Sequence, residues 1–389
     1  MIHNPYTTIA LLALIEFLIL YFSSRERFKK YFHFIPPVFW IYAIPMLLAS
    51  LGVIDPDNRL YKIISENVLP ASLILLLLST DLAAIAKLGK KALLMMLIGS
   101  ASIMAAFPTV FYVFKGLVGA RMWSGFGALS ASWVGGSANM VAVKEALGTP
   151  ESVFAPMLVV DTVVPYVWMA FLIAIVGLQN AFDKKIRADM QVMDELNQHL
   201  SQQQSLAKCF SVTGIGWIIA TAVGGVIIAK TGADYLPVIQ NTISNYTWVI
   251  IMASFIGIGL SLTPARKLEQ AHSTQIGYWL LYFVLTTIGA KACIRDFGAA
   301  LILIGAGFCV ITLHGLILVI AAKILRAPMF LAVTASQANI GGTASAPVVA
   351  AVYQPALASV GLIMAILGNI MGTYTGILTG YVCKIIAGA

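Results

Sequence analysis

The sequence predicts an all-α polytopic membrane protein with two inverted repeats of about five transmembrane helices, each repeat containing a Gly-Gly re-entrant hairpin or broken helix. Three observations lead to this fold class. The composition is strongly apolar, the apolar residues form segments of bilayer length, and a small-residue motif occurs once in each half of the chain. Each observation accounts for one part of the prediction.

Composition assigns the chain to a membrane. Of its 389 residues, 60% are hydrophobic and only 10% are charged, and the mean hydropathy is +0.90. One soluble core of this length cannot bury so much apolar surface. The formal net charge is +8, but the basic residues lie in short loops and form no stripe. This distribution indicates the positive-inside bias and argues against nucleic-acid binding.

The sequence shows no pattern typical of a metal site, a cofactor site or a catalytic site. The four cysteines are scattered, without the spacing of a metal site or a disulfide framework. The apolar regions contain no His-Glu-x-x-His motif, no paired aspartates and no serine that lies close to a histidine along the chain. We therefore predict that the protein is not an enzyme and has no cofactor besides a coupling ion.

Apolar segments divide the chain into two halves. Six segments precede and six follow one polar stretch, so we predict a first repeat at 1–179, a cytoplasmic linker at 180–208 and a second repeat at 209–389. The segments are 6–22, 34–52, 67–86, 92–114, 123–146, 153–179, 209–229, 243–262, 274–291, 298–322, 329–352 and 356–383. In the linker, Met190, Met193, Leu196 and Leu200 recur every three or four residues. This spacing fits either a surface amphipathic helix or a solvated connection.

The small-residue motif interrupts the fifth segment and the eleventh. It reads Ala-Ser-Trp-Val-Gly-Gly-Ser-Ala-Asn at 131–139 and Ala-Ser-Gln-Ala-Asn-Ile-Gly-Gly-Thr-Ala at 335–344. Glycine weakens a helix, and hydrocarbon cannot satisfy the backbone groups that a break releases. Matching interruptions in two hydrophobic halves are typical of the binding sites of secondary transporters.

Loop charges distinguish two topologies. If all twelve segments cross the bilayer, Lys and Arg are divided about evenly between the two sides. If the Gly-Gly segments enter and leave on one side, most of these residues lie inside, as the positive-inside rule requires. The odd number of spans per half then inverts the second repeat, and the hairpins enter from opposite faces. Broken helices that cross remain an alternative.

Ion coupling is assigned to Asp161 and its neighbour Thr162. Asp161 lies in the sixth segment, where an acid is costly and is a functional candidate by default. Pro165 removes a backbone donor one turn later. Carboxylate, hydroxyl and free carbonyl oxygens suit sodium, and the carboxylate suits a proton. The alternative is a structural Asp that caps a helix or pairs at its wall.

Neutral polar residues at the motifs form the predicted substrate site. Hydroxyls, amides and half-helix ends can hold a carboxylate without a fixed cation. No Lys or Arg lies at the centre of a segment, which favours a mono-anionic or zwitterionic solute. The predicted residues are Ser132, Gly135, Gly136, Ser137, Asn139, Ser336, Asn339, Gly341, Gly342, Thr343 and Asn369. Asn369 occupies a position in the second half that is close to the one Asp161 occupies in the first. The alternative role for Asn369 is in helix packing.

Other ionisable residues have structural interpretations. Glu16 can reach the basic residues after the first segment, and His314 is expected to be a neutral, hydrogen-bonded histidine. We expect Lys144 and Glu145 to be charges at the membrane rim.

The two motif runs, Gly-Gly-Ser-Ala-Asn-Met-Val-Ala-Val at 135–143 and the run at 335–344, resemble the YjcL-like family of bacterial and plastid membrane proteins of unknown function. That family looks like a branch of the superfamily of cation-proton antiporters and of sodium-glutamate, sodium-citrate and bile-acid symporters. The resemblance covers essentially the whole chain. It implies inverted five-span repeats, a core domain that moves against a scaffold domain, and a homodimer.

The chain departs from two branches of that superfamily. It lacks the paired aspartates of the antiporters, because Thr162 follows Asp161, and it lacks the membrane-embedded arginine of citrate-type carriers. We therefore expect a multi-pass protein of the plasma (inner) membrane that moves an amino acid, short peptide or monocarboxylate with sodium or protons. The alternative is a cation-proton antiporter. The expected partners are the solute and the lipid bilayer.

Overall fold

The computed structural model describes residues 4–34, 37–80, 88–191, 212–238, 245–291, 298–354 and 357–389. Within these ranges the secondary structure is helical, and they contain no strand. The α-helices are α1 (Pro5–Ser23), α2 (Glu26–Phe34), α3 (Pro37–Ser50), α4 (Arg59–Leu78), α5 (Gly89–Val118), α6 (Trp123–Gly135), α7 (Ser137–Ala146), α8 (Glu151–Ala174), α9 (Gln179–Ile186), α10 (Val212–Asp234), α11 (Asn245–Ser261), α12 (Ser273–Lys291), α13 (Gly298–Leu325), α14 (Met329–Ile340), α15 (Gly342–Tyr353) and α16 (Ala358–Ala387). Short 3₁₀ helices occupy Ala120–Met122, Val176–Leu178 and Pro264–Ala271.

Several of these helices are long and apolar enough to cross a bilayer. Seven of those described meet both conditions, and an eighth does so if α11 and the following 3₁₀ helix, which meet at 94°, form one bent span. The prediction of an all-helical protein with several spans is therefore confirmed. The linker residues Met193, Leu196 and Leu200 lie outside the described ranges.

Helix α4 begins earlier than the apolar pattern predicts. The Asn58 side chain accepts the amide hydrogen bond of Leu60 at 2.9 Å. This N-cap satisfies one of the unpaired donors of the first turn. The helix can therefore begin at Arg59, eight residues before the predicted apolar segment.

The chain forms two compact units. Unit 1 contains Met1–Ser79, Lys144–Thr162 and Lys208–Leu301; unit 2 contains Thr80–Val143, Val163–Ala207 and Ile302–Ala389. Each unit combines chain from both sides of the linker. The predicted repeats 1–179 and 209–389 divide the chain by internal symmetry. The two units divide it by spatial contacts, so their boundaries differ from those of the repeats.

Unit 1 packs its helices around α4, which contacts α10, α11 and α12. Small residues permit the close approaches. A Cβ on Gly257 would lie 3.0 Å from the carbonyl oxygen of Ile74, and one on Gly289 would lie 2.3 Å from that of Tyr42. These two glycines bring α11 against α4 and α12 against α3.

Unit 2 has α16 at its centre, in contact with α5, α6, α14 and α15. Glycines allow helix α6 to pack closely along α16. A Cβ on Gly135 would lie 2.8 Å from the Cα of Gly372, and one on Gly376 would lie 2.4 Å from the Cβ of Ala131. Contact at backbone distance lets helices pack without long side chains between them.

Candidate functional site

The first Gly-Gly break separates α6 from α7. Gly136 has a φ of 81°, a left-handed conformation that glycine adopts without steric cost. Its amide still donates to the Ser132 carbonyl at 2.6 Å. Gly136 and Ser137 are partly exposed, whereas Ser132 and Asn139 on either side are buried.

Asn139 stabilises this break with its side chain. Its Nδ2 donates to the carbonyls of Gly135 at 2.6 Å and Asn369 at 3.1 Å. Its Oδ1 accepts the hydroxyl of Thr373 at 2.5 Å. Because the Asn139 amide donates instead to Gly136 at 3.0 Å, the side chain supplies the bond that the helix would have given to Gly135. The break is therefore bound to α16 through both Asn369 and Thr373.

The second break separates α14 from α15 and is sharply bent. Gly342 has a φ of 62°, and the buried Gln337 donates through Nε2 to Ser345 Oγ at 2.7 Å. Residues eight apart in a continuous helix are separated by about 12 Å along its axis, too far for these two side chains to meet. Gly341 lies inside the bend, where a Cβ would be 1.9 Å from Ser345 Oγ. Gly341, Gly342 and Thr343 are partly exposed.

Asn339 lies in the last turn of α14, just before the second break, and bonds a neighbouring helix as Asn139 does. Its Nδ2 donates to the Ala335 carbonyl at 2.9 Å and contacts the Met96 sulfur at 3.2 Å. Its Oδ1 accepts the Ser100 hydroxyl at 2.8 Å. Each asparagine thus donates to the carbonyl four residues before it and accepts a hydroxyl from another helix. Asn339 joins α14 to α5.

A second hydrogen-bond network runs beside Asn339 through His314. The Trp168 indole donates to Ser336 Oγ at 2.9 Å, and Ser336 Oγ lies 3.0 Å from His314 Nε2. His314 Nδ1 lies 2.6 Å from Ser102 Oγ, which donates to the Gly99 carbonyl at 2.6 Å. A neutral imidazole protonated at Nδ1 satisfies every donor in this network. His314 therefore fits the hydrogen-bonded histidine that the sequence suggested.

Contacts along the helices define two ends of unit 2. At the Asp189 end, Lys91 Nζ lies 2.7 Å from the Asp189 carboxylate, and the Asp189 amide donates to the Arg326 carbonyl at 2.9 Å. At the Lys384 end, Lys115 Nζ donates to the Ile386 carbonyl at 3.0 Å. Helix α5 runs from the first end to the second.

The two broken segments start from opposite ends of unit 2. Trp123, the first residue of α6, has Lys384 Nζ 5.2 Å from its ring centroid, and α6 then runs antiparallel to α16. The amide of Met329, the first residue of α14, donates to Asp183 at 2.7 Å, six residues before Asp189. The α6 and α14 helices have 13 and 12 residues, or about 20 and 18 Å, compared with a bilayer core of about 30 Å.

Two aspartates organise the Asp189 end. The hydrogen bond from Lys91 lowers the pKa of the partly exposed Asp189 carboxyl. Burial raises the pKa of Asp183, while its bond from the Met329 amide acts in the opposite direction. That bond satisfies a free amide at the beginning of α14.

The structure brings many of the predicted substrate residues to the breaks. Asn369 lies at the first break, where its Oδ1 is 3.7 Å from the position of a Cβ on Gly136. Asp161 and Thr162 belong to unit 1. Thr162 donates to the Leu158 carbonyl at 2.8 Å within an unbroken α8. Asp161 is partly exposed near the middle of that helix.

Sequence reasoning missed the partners of the asparagines and of His314. Ser100, Ser102, Trp168 and Thr373 lie inside apolar helices, where a lone hydroxyl or indole carries no positional signal. Only the tertiary packing brings them within reach of the motifs.

The prediction that Lys144 is a rim charge is wrong. Lys144 is 3% exposed and lies 2.7 Å from Glu145 and 2.8 Å from Glu151, which Lys291 approaches at 3.6 Å. Pairing with two carboxylates offsets the cost of burying the ammonium. This cluster is in unit 1.

The chemistry of the breaks is neutral. Their side chains are hydroxyls and amides, which bind polar groups without exchanging protons near neutral pH. Among the described residues, no group of three His, Cys, Asp or Glu side chains could hold a metal ion. The arrangement suits hydrogen bonding to a solute.

Comparison with known proteins identifies relatives along nearly the full chain. The model of the family described as "Protein of unknown function (DUF819)" matches residues 10–386. The chain is also 23% identical over 352 residues to the "Uncharacterized membrane protein YjcL" of Bacillus subtilis (strain 168), covering 86% of each chain.

Proposed function

Because this chain belongs to the DUF819 family of membrane proteins, whose function is open, we propose that it is a secondary active transporter that works by alternating access. The observation that carries the proposal is the pair of half-length, glycine-broken helices that start from opposite ends of one compact unit. Broken helices of this kind hold substrates and ions in transporters. The motifs resemble those of the YjcL-like family, which looks like a branch of the superfamily of cation-proton antiporters and sodium symporters, and this resemblance supports the same proposal.

The ion pair between Lys91 and Asp189 supports a re-entrant first segment. Three apolar segments separate these residues, and the middle one contains the first Gly-Gly break. If all three crossed the membrane, Lys91 and Asp189 would lie on opposite sides. Their separation of 2.7 Å favours an even number of crossings, as a hairpin at 123–146 would provide.

Contacts at both ends of the second Gly-Gly segment support a hairpin there as well. Its first residue, Met329, bonds Asp183 at 2.7 Å, and its last helical residue, Tyr353, donates to the Leu172 carbonyl at 2.6 Å. Leu172 and Asp183 are only eleven residues apart. The two ends of a crossing segment would be separated by about 30 Å of hydrocarbon. Hairpins from opposite faces are the arrangement expected of inverted repeats.

Neutral linings favour a solute of low net charge. The partly exposed residues at the breaks, Ser137 and Thr343, offer hydroxyls, and the helices that begin there offer free backbone amides. We therefore propose an amino acid, short peptide or monocarboxylate as the solute. Asn139 and Asn339 would maintain the shape of the site, because their amide groups are already engaged with the chain.

Ion coupling is proposed for Asp161 with Thr162. A carboxylate in the middle of a membrane helix is a site for sodium or a proton. The same residue supports the alternative function, a cation-proton antiporter, in which ion flux requires no organic solute. The proposal also includes a homodimer in the plasma (inner) membrane, no enzymatic activity and no bound cofactor besides the coupling ion.

Thermal stability of the purified full chain tests the proposal. Solutes of the three classes are added with sodium or potassium at pH 6 and pH 8, because a ligand that binds the folded state raises its stability. We expect a solute-dependent rise that sodium or acid increases. Asp161→Asn should reduce this increase, whereas Asp57→Asn, at an exposed loop position, should leave it unchanged. An ion-dependent rise without any solute response would favour the antiporter, and no response to any solute or ion would refute both.

A further inference from the structure

Three cations come together at the Lys384 end of unit 2. Lys115 lies near the end of α5 and donates to the Ile386 carbonyl at 3.0 Å. Lys384 lies in the last turn of α16, 5.2 Å from the centre of the Trp123 ring. Arg121 is two residues before Trp123, in the 3₁₀ helix between α5 and α6. These contacts place the three side chains around one end of the unit.

The chain segments that carry these cations contain no acidic side chain. The stretches 105–123 and 375–389 contain no Asp or Glu. The partial negative charge at the C-terminal end of α5 offsets the charge of one lysine, and the C-terminal end of α16 offsets that of the other. Arg121 is in neither last turn; it is exposed, and within the described ranges it has no hydrogen bond or ion pair to another side chain. The charge of Arg121 therefore remains available for an anionic ligand.

Aromatic rings mark this end as a membrane interface. Lys115 Nζ lies 5.1 Å from the centre of the Tyr112 ring, and Tyr112 is 65% exposed. Tyrosine and tryptophan concentrate where a span meets the lipid headgroups, and lysine extends its ammonium there. This arrangement is the one expected of cations at headgroup depth.

The predicted topology makes these cations unusual. With the basic residues after α1 inside, both the hairpin and the crossing topologies put residues 115–122 and 384–389 outside. The positive-inside rule predicts few Lys and Arg on that side. An anionic lipid headgroup would compensate the charge of these clustered cations.

We propose that Lys115, Arg121 and Lys384 bind the phosphodiester headgroup of an anionic phospholipid. An ammonium has three donors, and Lys115 gives one to Ile386, which leaves two for phosphate oxygens. The planar guanidinium of Arg121 matches a phosphate with two parallel hydrogen bonds. The acyl chains would lie along the exposed apolar residues near the ends of α5 and α16. This inference does not depend on the transport proposal.

Lipid binding by the full chain tests the site. The protein is titrated with dioleoyl phosphatidylglycerol or dioleoyl phosphatidylcholine in mixed micelles, and bound lipid is counted by native mass spectrometry. We expect phosphatidylglycerol to bind in preference, with about a fivefold loss of affinity for each cation removed at low salt. The triple variant Lys115→Gln, Arg121→Gln, Lys384→Gln should lose the preference. Arg121→Gln alone, at an exposed position, should weaken it with the fold unchanged.

A charge-matched control separates the site from general electrostatics. Arg59→Gln, Lys62→Gln, Lys230→Gln removes the same charge from unit 1 and should retain the preference. Equal loss in this control, or equal binding of both lipids by the wild type, would overturn the proposal. Inorganic phosphate is added separately; if it stabilises the protein and displaces the lipid at equal concentration, the ligand is a free phosphate and the lipid assignment is wrong.

Discussion

Asn139 shows how one side chain can stabilise a glycine break. An unpaired backbone carbonyl is costly in hydrocarbon, and Asn139 covers the Gly135 carbonyl that the break leaves without its helical amide. Both Asn139 and Asn339 also accept a hydroxyl from a neighbouring helix. The sequence could identify these asparagines, because an amide in an apolar segment is conspicuous. It could not identify Thr373 and Ser100, since a single hydroxyl in such a segment is ordinary.

Asn139→Ala should destabilise the protein by about 2 kcal/mol or more, because it leaves two carbonyls and the Thr373 hydroxyl without their partner. Asn67→Ala is the control. Asn67 is exposed; its Nδ2 donates to the Ile63 carbonyl of its own helix, and its Oδ1 accepts from the Lys230 ammonium in an exposed bond. Chemical denaturation in detergent measures both variants. Equal losses would mean that the bonds of Asn139 are not specific supports of the break.

Lys144→Met should cost about 3–5 kcal/mol, because Glu145 and Glu151 would lose the cation between them in a buried setting. Lys62→Met removes an exposed ion pair with Glu66 and should change the free energy of unfolding by less than about 1 kcal/mol. The same denaturation experiment compares them. A small effect of Lys144→Met would place Lys144 in water rather than in a buried cluster.

At the scale of elements, apolar patterning predicts the helices well and their ends less well. Helix α4 begins with charged residues that a hydropathy pattern assigns to a loop, and its start depends on the local cap at Asn58. The position of each break follows from Gly-Gly pairs that tolerate positive φ. The direction of α6 against α16 does not follow from sequence. Glycine spacing shows that another helix can approach closely, but it does not identify that helix.

Gly368→Ala should weaken the packing of α6 on α16. A Cβ there would lie 2.1 Å from the carbonyl oxygen of Val134, and backbone must move to accept it, at a cost of about 1–3 kcal/mol. Gly224→Ala on α10 meets no atom within 4 Å, so it should be neutral or slightly stabilising, as alanine favours helix. Thermal unfolding of the two variants measures the difference. A neutral Gly368→Ala would contradict the close approach.

At the scale of the whole molecule, the sequence predicts a membrane protein with a duplicated break, and the fold agrees. It does not predict that the compact units combine both halves of the chain, because contacts between distant segments leave no local pattern. Neither hydropathy nor charge reveals that Asp161 belongs to one unit and the breaks to the other.

Cysteine labelling tests the topology of the second Gly-Gly segment. In a chain without its natural cysteines, single cysteines replace Arg326 and Gln354, the residues that flank α14 and α15. We expect both to react with an impermeant reagent from the same side, and a cysteine at Arg121 to react from the other. Reaction of positions 326 and 354 from opposite sides would require a crossing segment and would remove the argument for a hairpin.

The pairing of α6 with α16 also affects how the protein is made. Residue 135 leaves the ribosome more than two hundred residues before Gly368 and Gly372, against which it packs. At about 5–20 residues per second, this separation corresponds to roughly 10–50 seconds of synthesis. During that time the first break lies in the membrane without its final neighbour. A membrane chaperone or the insertion machinery has the opportunity to shield it, and truncation before α16 would leave it exposed to quality-control proteases.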